Sequence, residues 1–447
     1  MQTLRLTLDG WSRDRHELHM CFAIGGRSIA KRYVYPDVDL LDLERRYGRE
    51  FMERVYFHLM AFEAIPLASA RPDSIAFGPL ARFQTPAFAK LWRGVFRNTS
   101  AQWRYEDNLP DYQGPEFEDP MCASDVGPVK IDPGPIDTLS FSGGGKDSLV
   151  AMKLLERAGV PFSSFAYSHP AYGPAEPQHA LIDYLADATV VRRRHRMCIC
   201  GDIGDSRLCA ETPAAVMASL PVVLAHGYRH LAIGHERSAD VANLYWAGEA
   251  VNHQWAKSLD AELLMSRYLR TQIASNLSYF SLLKPIHDVV IFNLLNDDLD
   301  ALERTHSCNH RKPWCQRCPK CAYVWLNYMA WLPQDRVRRM FPENLLEVPE
   351  NHHWFRQLMG IDGSKPFECV GEIAESRLAF ALCRRQGLRG SFADACAGEL
   401  PADGEVLQHY LTVHRTPATI PAAIASGVYT HMERGADRAR RHIDRLW

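Results

Sequence analysis

Residues 139–152 have the sequence LSFSGGGKDSLVAM, in which a short apolar run passes through three glycines into a helix-like pattern. A glycine-rich turn between a strand and a helix lets backbone N–H groups approach phosphate oxygens, and the helix N-terminus adds positive potential. An ordinary tight turn would explain one or two glycines, but not Lys146, Asp147 and Ser148 directly after three of them. The stretch therefore predicts a phosphate-binding loop.

Two well-known phosphate loops do not fit this spacing. The Walker loop has four residues between its glycines and Ser or Thr after its lysine, whereas glycines 143–145 are contiguous and Asp147 follows Lys146. The dinucleotide loop G-x-G-x-x-G is also excluded, because Asp147 and Ser148 occupy its final positions. A phosphate loop of another class is required.

The loop resembles that of the PP-loop ATP pyrophosphatases, whose signature S-G-G-x-D-S joins the first strand and helix of an adenine-nucleotide α-hydrolase-like fold. "GGGKDS" matches it if Gly143 replaces the serine and Ser142 lies one place earlier. The resemblance implies that the loop binds the β- and γ-phosphates of ATP with Mg²⁺, while a substrate oxygen attacks the α-phosphorus and pyrophosphate leaves. The residues that it assigns to ATP and pyrophosphate are Ser142, Gly143, Gly144, Gly145, Lys146, Asp147 and Ser148.

Strand-like and helix-like segments alternate after this loop. "IDTLSFS", "PFSSFAYS" and "TVVRRRH", the last at residues 189–195, are predicted strands separated by helical patterns. The alternation predicts an α/β fold with a parallel sheet covered on both faces and ligands at the carboxyl ends of its strands. We expect an N-terminal α+β domain (1–131), a PP-loop ATP-binding domain (132–300), a four-cysteine metal module (301–330) and a mostly helical C-terminal region (331–447).

Composition limits the classes of function. The 447 residues include 51 Lys plus Arg and 53 Asp plus Glu, so the formal charge of -2 gives no general attraction to nucleic acid or anionic membranes. The most apolar helix-like segment, which begins at Thr212, is shorter than a membrane span and contains Pro221. The N-terminus lacks the apolar core of a signal peptide. These features predict a cytoplasmic protein.

Four of the twelve cysteines form a C-x6-C-x2-C-x2-C array: Cys308, Cys315, Cys318 and Cys321. In a reducing compartment such spacing indicates a metal site, and four thiolates complete the tetrahedral set of a closed structural Zn²⁺ site. An iron–sulfur cluster is the alternative ligand of four cysteines. A PP-loop domain followed by such an array is also similar to 7-cyano-7-deazaguanine synthase, where the resemblance implies zinc.

Dense polar motifs follow the next predicted strand. "GHERSA" contains His235 and Arg237, and "NHQWAKS" contains His253 and Lys257, which suits a ligand site at the carboxyl edge of the sheet rather than a solvated loop. "LLKPIHD" and "KPFECVGE" add further titratable side chains. The candidate contacts to substrate anions are Arg237, Lys257 and Lys284.

These motifs, with "FSGGGKDSLVA", "THSCN" and "PWCQRCPKCAYVW", together resemble the MurL family of ATP-dependent epimerases that act on UDP-N-acetylmuramoyl-L-alanyl-L-glutamate. The resemblance implies a role in peptidoglycan precursor synthesis, beside a ligase that adds L-glutamate. ATP would adenylate the terminal carboxylate, the Cα centre would be inverted, and water would release AMP. Inversion needs two bases or one mobile base. The candidates for these bases are Cys369, His235, His287 and His253.

Two other functions remain open at the level of sequence. A PP-loop synthetase or ligase would form the same adenylate but transfer the acyl group to an amine or ammonia. The third alternative is a noncatalytic nucleotide-binding module with a zinc knob, which the intact loop and the dense polar motifs disfavour.

Overall fold

The computed structural model describes residues 3–123, 126–202, 207–396 and 407–447. Its strands form one sheet of ten strands and a separate two-stranded hairpin. The strands are β1 (Arg5–Arg13), β2 (Glu17–Ile24), β3 (Arg27–Val34), β4 (Ser74–Ala76), β5 (Glu116–Phe117), β6 (Thr138–Phe141), β7 (Phe162–Ser168), β8 (Arg194–Gly201), β9 (His230–Ile233), β10 (Leu244–Trp246), β11 (Glu249–Val251) and β12 (Ser278–Ser281).

Helices cover both faces of the large sheet and make up most of the described C-terminal region. They are α1 (Leu40–Tyr47), α2 (Arg49–Leu67), α3 (Pro86–Thr99), α4 (Ala101–Glu106), α5 (Lys146–Arg157), α6 (Ala175–Ala186), α7 (Glu211–His226), α8 (Leu259–Tyr268), α9 (Asp288–Leu294), α10 (Leu299–Leu302), α11 (Pro319–Trp331), α12 (Gln334–Met340), α13 (Pro349–Leu358), α14 (Ile373–Arg385), α15 (Ser391–Ala395), α16 (Leu407–Tyr410) and α17 (Ala422–Asp444). Among the described helices, none has the length and apolar character needed to cross a bilayer.

The half of the sheet that follows residue 137 is parallel, with the order β12-β9-β6-β7-β8. From β6 the chain adds β7 and β8 on one side, then returns to add β9 and β12 on the other. The strand order therefore reverses between β6 and β9. All four residues of β6 are buried, as expected for a central strand covered on both faces.

The N-terminal segment extends the same sheet. The antiparallel strands β1, β2 and β3 join it through β3, which pairs with β8 from Lys31 opposite Gly201 to Val34 opposite Cys198. The strand predicted at residues 189–195 therefore differs from the observed strand β8. The residues that pair with β3 are those of the alternating sequence around "RMCIC". The division of the chain after residue 131 stays a prediction.

Two apolar cores lie against the parallel strands. Leu139 and Phe141 of β6 belong to a core with the long buried helix α2 and with α7. Residues of α5, α9, α11 and α17 form the other core. Helix α17 contacts α5 and α9 closely, since a Cβ at Gly435 would lie 2.8 Å from the Leu294 side chain. Gly427 of α17 packs in the same way on Ala158, at the C-terminal end of α5.

Candidate functional site

A polar cavity lies where the strand order reverses. The loops that follow β6 and β9 both line it, and these neighbouring strands continue to β7 and β12 on opposite sides. Open α/β sheets bind ligands in this crevice, outside the carboxyl ends of their strands. The cavity encloses about 300 Å³, and α7, residues 306–312, α11 and Cys369 complete its walls.

The glycine loop, residues 142–145, is shaped by the segment that covers it. Gly144 has a φ of 81°, and a Cβ there would lie 2.0 Å from the His306 ring. The backbone N–H of His306 donates to Gly144 O at 3.0 Å, and Gly143 N–H donates to Ser148 Oγ at 3.0 Å. The first N–H groups of α5 lack acceptors within the helix, so they and the positive end of its dipole are available to an anion.

Gly144→Ala should lower the midpoint of thermal unfolding and abolish catalysis. The left-handed backbone costs a residue with a Cβ about 1–2 kcal/mol, and the clash with His306 adds to this and displaces the loop. Gly159→Ala is the matched control, because its φ is 68° but its Cβ would meet no described atom within 4 Å. Equal destabilisation by the two substitutions would show that the His306 contact does not constrain the loop.

Lys146 is the central cation of the site. Its side chain is 7% exposed and its Nζ donates to Asp147 Oδ1 and to Asp288 Oδ1, each at 2.6 Å. The ammonium also lies 4.9 Å from the centre of the Phe292 ring. Burial alone would lower the pKa of Lys146, but Asp147, Asp288 and Glu236 hold it well above its ordinary value. Lys146 is therefore a permanently charged group beside the glycine loop.

Carboxylates from three different segments surround this lysine. Burial, together with Glu236 and Asp288, raises the pKa of Asp147 to about 6, although Lys146 opposes the shift. Burial would also raise the pKa of Glu236, but Lys257 and Lys146 lower it to about 2. Glu236 Oε2 is buried and has no hydrogen-bond partner in the described parts of the chain. Such oxygens could hold Mg²⁺, which prefers carboxylate ligands together with phosphate oxygens.

A second group of titratable side chains lies at the same cavity. Cys369 and Lys257 both line it, and the donor atoms of His253, Glu368 and Cys369 lie within 4.8 Å of one another. His253 Nδ1 is 2.6 Å from the amide oxygen of Gln102. The structure therefore brings two of the predicted bases together with a predicted anion contact.

His235 lines the cavity beside them and is held by its backbone. Its N–H donates to Ser281 Oγ at 2.8 Å, and that hydroxyl donates to His235 O at 2.6 Å. Burial and the nearby Lys257 hold the pKa of His235 well below its ordinary value. The imidazole is therefore neutral in the folded protein.

Four of the predicted bases and anion contacts are not among the residues that line this cavity: Arg237, His253, Lys284 and His287. Lys284 Nζ donates to Glu236 O and Asp240 Oδ1 at 2.8 Å and to Lys257 O at 2.9 Å, which uses all three of its N–H groups. Lys284 thus ties the loop after β9 to the segment before α8. Its assignment as an anion contact stays a prediction, and this geometry does not favour it.

His287 and Arg237 lie near a group of histidines in the C-terminal region. The His287 ring centre is 4.6 Å from that of His409, and burial together with His409 and His414 lowers the pKa of His287 to about 2. Arg237 contributes to the same shift. The structure therefore separates His287 and Arg237 from the group formed by His253, Lys257, Glu368 and Cys369.

The four predicted metal ligands converge on one point. Cys308 Sγ lies 3.8 Å from Cys318 Sγ, Cys315 Sγ lies 3.8 Å from Cys321 Sγ, and all four sulfurs lie within 4.8 Å of one another. Zinc–sulfur bonds of about 2.3 Å in a tetrahedron require sulfurs about 3.8 Å apart. Backbone N–H groups also donate to the sulfurs, including Cys321 N to Cys318 Sγ at 3.4 Å. The arrangement fits a single tetrahedral ion better than a cluster, whose irons would spread the sulfurs.

Sequence reasoning missed two basic residues of the cavity. Lys312 and Lys320 line it from within the four-cysteine stretch, the first between Cys308 and Cys315 and the second between Cys318 and Cys321. Both stand in "RKPWCQRCPKC", the stretch that carries three of the four cysteines of the array. The available signal was that both lysines are close in sequence to the four cysteines. A four-cysteine site that packs on the glycine loop also places its sequence neighbours at the cavity.

Fold and cavity define an α/β protein with a polar site at the switch point of a mostly parallel sheet. Two family models match the chain, the MurL N-terminal domain over residues 69–282 and the MurL C-terminal domain over residues 302–393. Together with the relatives described next, they show that the chain belongs to the MurL family. The resemblance indicated by the sequence motifs is thereby confirmed.

The relatives are named UDP-N-acetyl-alpha-D-muramoyl-L-alanyl-L-glutamate epimerase. The chain is 31% identical to that of Micromonospora sp. over 318 residues, which cover 67% of this chain and 68% of the relative. It is 31% identical to that of Salinispora tropica over 313 residues, 67% of each chain. Identity to that of Xanthomonas oryzae pv. oryzae is 28% over 277 residues, 55% of this chain and 56% of the relative. No solved structure matches the chain.

Proposed function

We propose that this protein inverts the terminal L-glutamate of UDP-MurNAc-L-Ala-L-Glu to D-glutamate, with conversion of ATP to AMP and pyrophosphate. The names of its relatives support the epimerase activity. The observation that carries the ATP-dependent route is that one cavity joins the glycine loop and Lys146 to Lys257 and Cys369. Activation and inversion can therefore act on one bound substrate.

The chain's own groups fit the activation step. The glycine loop and the start of α5 would bind the β- and γ-phosphates, and Lys146 would stabilise the charge that develops on the leaving pyrophosphate. Asp147 and Glu236 would hold Mg²⁺, which supplies neutralisation of phosphate charge. The α-phosphorus would then face the part of the cavity that contains Lys257, where the glutamate carboxylate attacks it.

Adenylation explains why ATP is needed for an isomerisation. A Cα proton beside a carboxylate anion is very weakly acidic, because its removal would place a second negative charge next to the first. In the acyl adenylate the carbonyl can accept the electron pair as an enolate, which Lys257 would stabilise by its charge. Hydrolysis of the adenylate then releases AMP and the D-glutamyl product.

The four-cysteine module would have a structural part in this site. With four thiolates around one Zn²⁺, no position is left for water or substrate. Residues 306–312 continue from the cluster to the glycine loop and the cavity wall. The ion would therefore hold the wall in place without taking part in the reaction. A ligase that adds L-glutamate to the UDP-muramoyl-alanine precursor would supply the substrate.

Incubation with ATP, Mg²⁺ and UDP-MurNAc-L-Ala-L-Glu tests the proposal. We expect AMP, pyrophosphate and the D-glutamyl epimer in the absence of any amine, measured by chiral analysis of the hydrolysed product. Omission of ATP is the control and should leave the L-centre unchanged. The synthetase alternative would instead be supported by no turnover here and AMP release with a deazapurine carboxylic acid and ammonia.

A further inference from the structure

We propose that Cys369 is the base that removes the Cα proton of the activated glutamate, with His253 as the residue that positions and activates its thiolate. The inference rests on the proposed function, because it needs an acyl adenylate in the cavity. It assigns one role among four titratable side chains that the sequence left equivalent.

The geometry separates Cys369 from His287 and gives His253 a different part. Its thiol lines the cavity that contains the glycine loop, whereas His287 lies outside that wall among the C-terminal histidines. His253 Nδ1 donates to Gln102 Oε1 at 2.6 Å, so its Nε2 is the nitrogen left to meet the sulfur. Glu368 is turned to other partners, because its Oε1 accepts from Cys369 N at 2.8 Å and from Asn309 Nδ2 at 3.1 Å.

The charges around the sulfur favour its anion. Burial alone would raise the pKa of Cys369, but Lys257, Lys320 and His253 lower it to about 7. Burial alone would lower the pKa of His253, but the neighbouring Cys369 favours the protonated imidazole. The pKa of His253 is therefore raised. The other groups that face the thiol are Glu368, Tyr172 and Lys365. Both shifts favour a thiolate–imidazolium pair.

The proton transfer balances with the groups present. The Cys369 sulfur forms an S–H bond as the Cα–H bond breaks, and the electron pair of that bond moves into the enolate of the acyl adenylate. A proton that originates from water adds to the opposite face of Cα and completes the D-centre. The thiol then returns its proton to solvent and His253 restores the ion pair.

Cys369→Ala tests the assignment with substrate that carries deuterium at the glutamate Cα. We expect loss of deuterium to solvent, and formation of the D-epimer, to fall about 10²–10⁴-fold, the usual contribution of a general base. Substrate-dependent AMP release should continue, because adenylation and hydrolysis do not need the thiol. Cys122→Ser, a cysteine that is not among those that line the cavity, is the matched control and should keep all three activities.

The outcomes separate this inference from the proposed function. Absence of substrate-dependent AMP release from the unaltered enzyme would overturn the proposed function itself. Retention of deuterium loss by Cys369→Ala, with or without inversion, would overturn only the role of Cys369. If Cys369→Ala remains folded by circular dichroism but neither releases AMP nor exchanges deuterium, Cys369 has a binding role instead.

The thiolate can also be observed without catalysis. Alkylation of Cys369 by iodoacetamide, followed by mass spectrometry of its peptide, should rise with pH through a midpoint near 7, because only the anion reacts. Lys257→Met should move that midpoint upward and slow the alkylation at pH 7 by about tenfold or more. His253→Gln should move it in the same direction. A midpoint that neither substitution changes would contradict the proposed ion pair.

Discussion

Replacement of Lys146 by Met should reduce release of AMP and pyrophosphate by about 10³-fold, the usual effect of removing one preorganised charge donor. It should also destabilise the protein by about 3–5 kcal/mol, because Asp288, whose side chain is 2% exposed, would keep a buried charge without its partner. Steady-state assays and chemical denaturation measure the two effects.

A double variant separates these two effects. Lys146→Met combined with Asp288→Asn removes both members of the ion pair, while the Asn oxygen can still accept from the Tyr323 hydroxyl, now 2.7 Å from Asp288. We expect most of the stability to return and the activity to stay about 10³-fold below that of the unaltered enzyme. Lys153→Met on the same helix is the control, because Lys153 binds Glu156 and is not among the residues that line the cavity. Activity in the double variant would disprove a direct role of Lys146 with ATP.

Cys318→Ser should abolish metal binding and lower stability by several kcal/mol. Binding of a structural zinc ion in small domains contributes about 10–16 kcal/mol, most of which is coupled to folding. Cys318 also caps α11, because its sulfur accepts a hydrogen bond from Cys321 N. A serine can accept the same hydrogen bond, so the substitution removes the metal ligand but keeps the helix cap. Metal analysis of the purified protein should fall from one zinc per chain to none.

Activity should fall with the metal, because residues that continue from Cys308 cover the glycine loop. His306 N–H donates to Gly144 O, and Ser307 packs on Gly145. Cys122→Ser is again the control and should keep both metal and activity. Stoichiometric iron with visible absorption in protein purified without oxygen would contradict zinc, and undiminished metal in Cys318→Ser would contradict the four-cysteine site.

Local sequence was sufficient for the parts of the site that are continuous in the chain. Three glycines followed by Lys146 fixed a strand–turn–helix, because the loop, the helix N-terminus and the lysine all lie within a few residues. The C-x2-C spacings similarly brought sulfurs together over short distances. The combination of motifs between residues 141 and 372 is specific enough by itself to indicate the MurL family.

Relations between distant segments were not accessible in the same way. The strand predicted at residues 189–195 is found instead at β8, because β3, more than 150 residues earlier, pairs with those residues as their antiparallel partner. Lys284 and Lys257 belong to similar polar motifs, yet Lys284 is saturated by three acceptors while Lys257 faces the cavity. Such differences depend on which acceptors folding places nearby.

The sequence by itself determined a glycine-rich turn between a strand and a helix, an array of four cysteines and the family, since each depends on residue types at fixed short spacing. Tertiary structure alone decided that the loop, the metal module and Cys369 share one cavity, that Lys312 and Lys320 line it, and that His287 does not. The physical reason is that side chains far apart in sequence acquire their neighbours, charge and solvent exposure only when the sheet and its covering helices pack together.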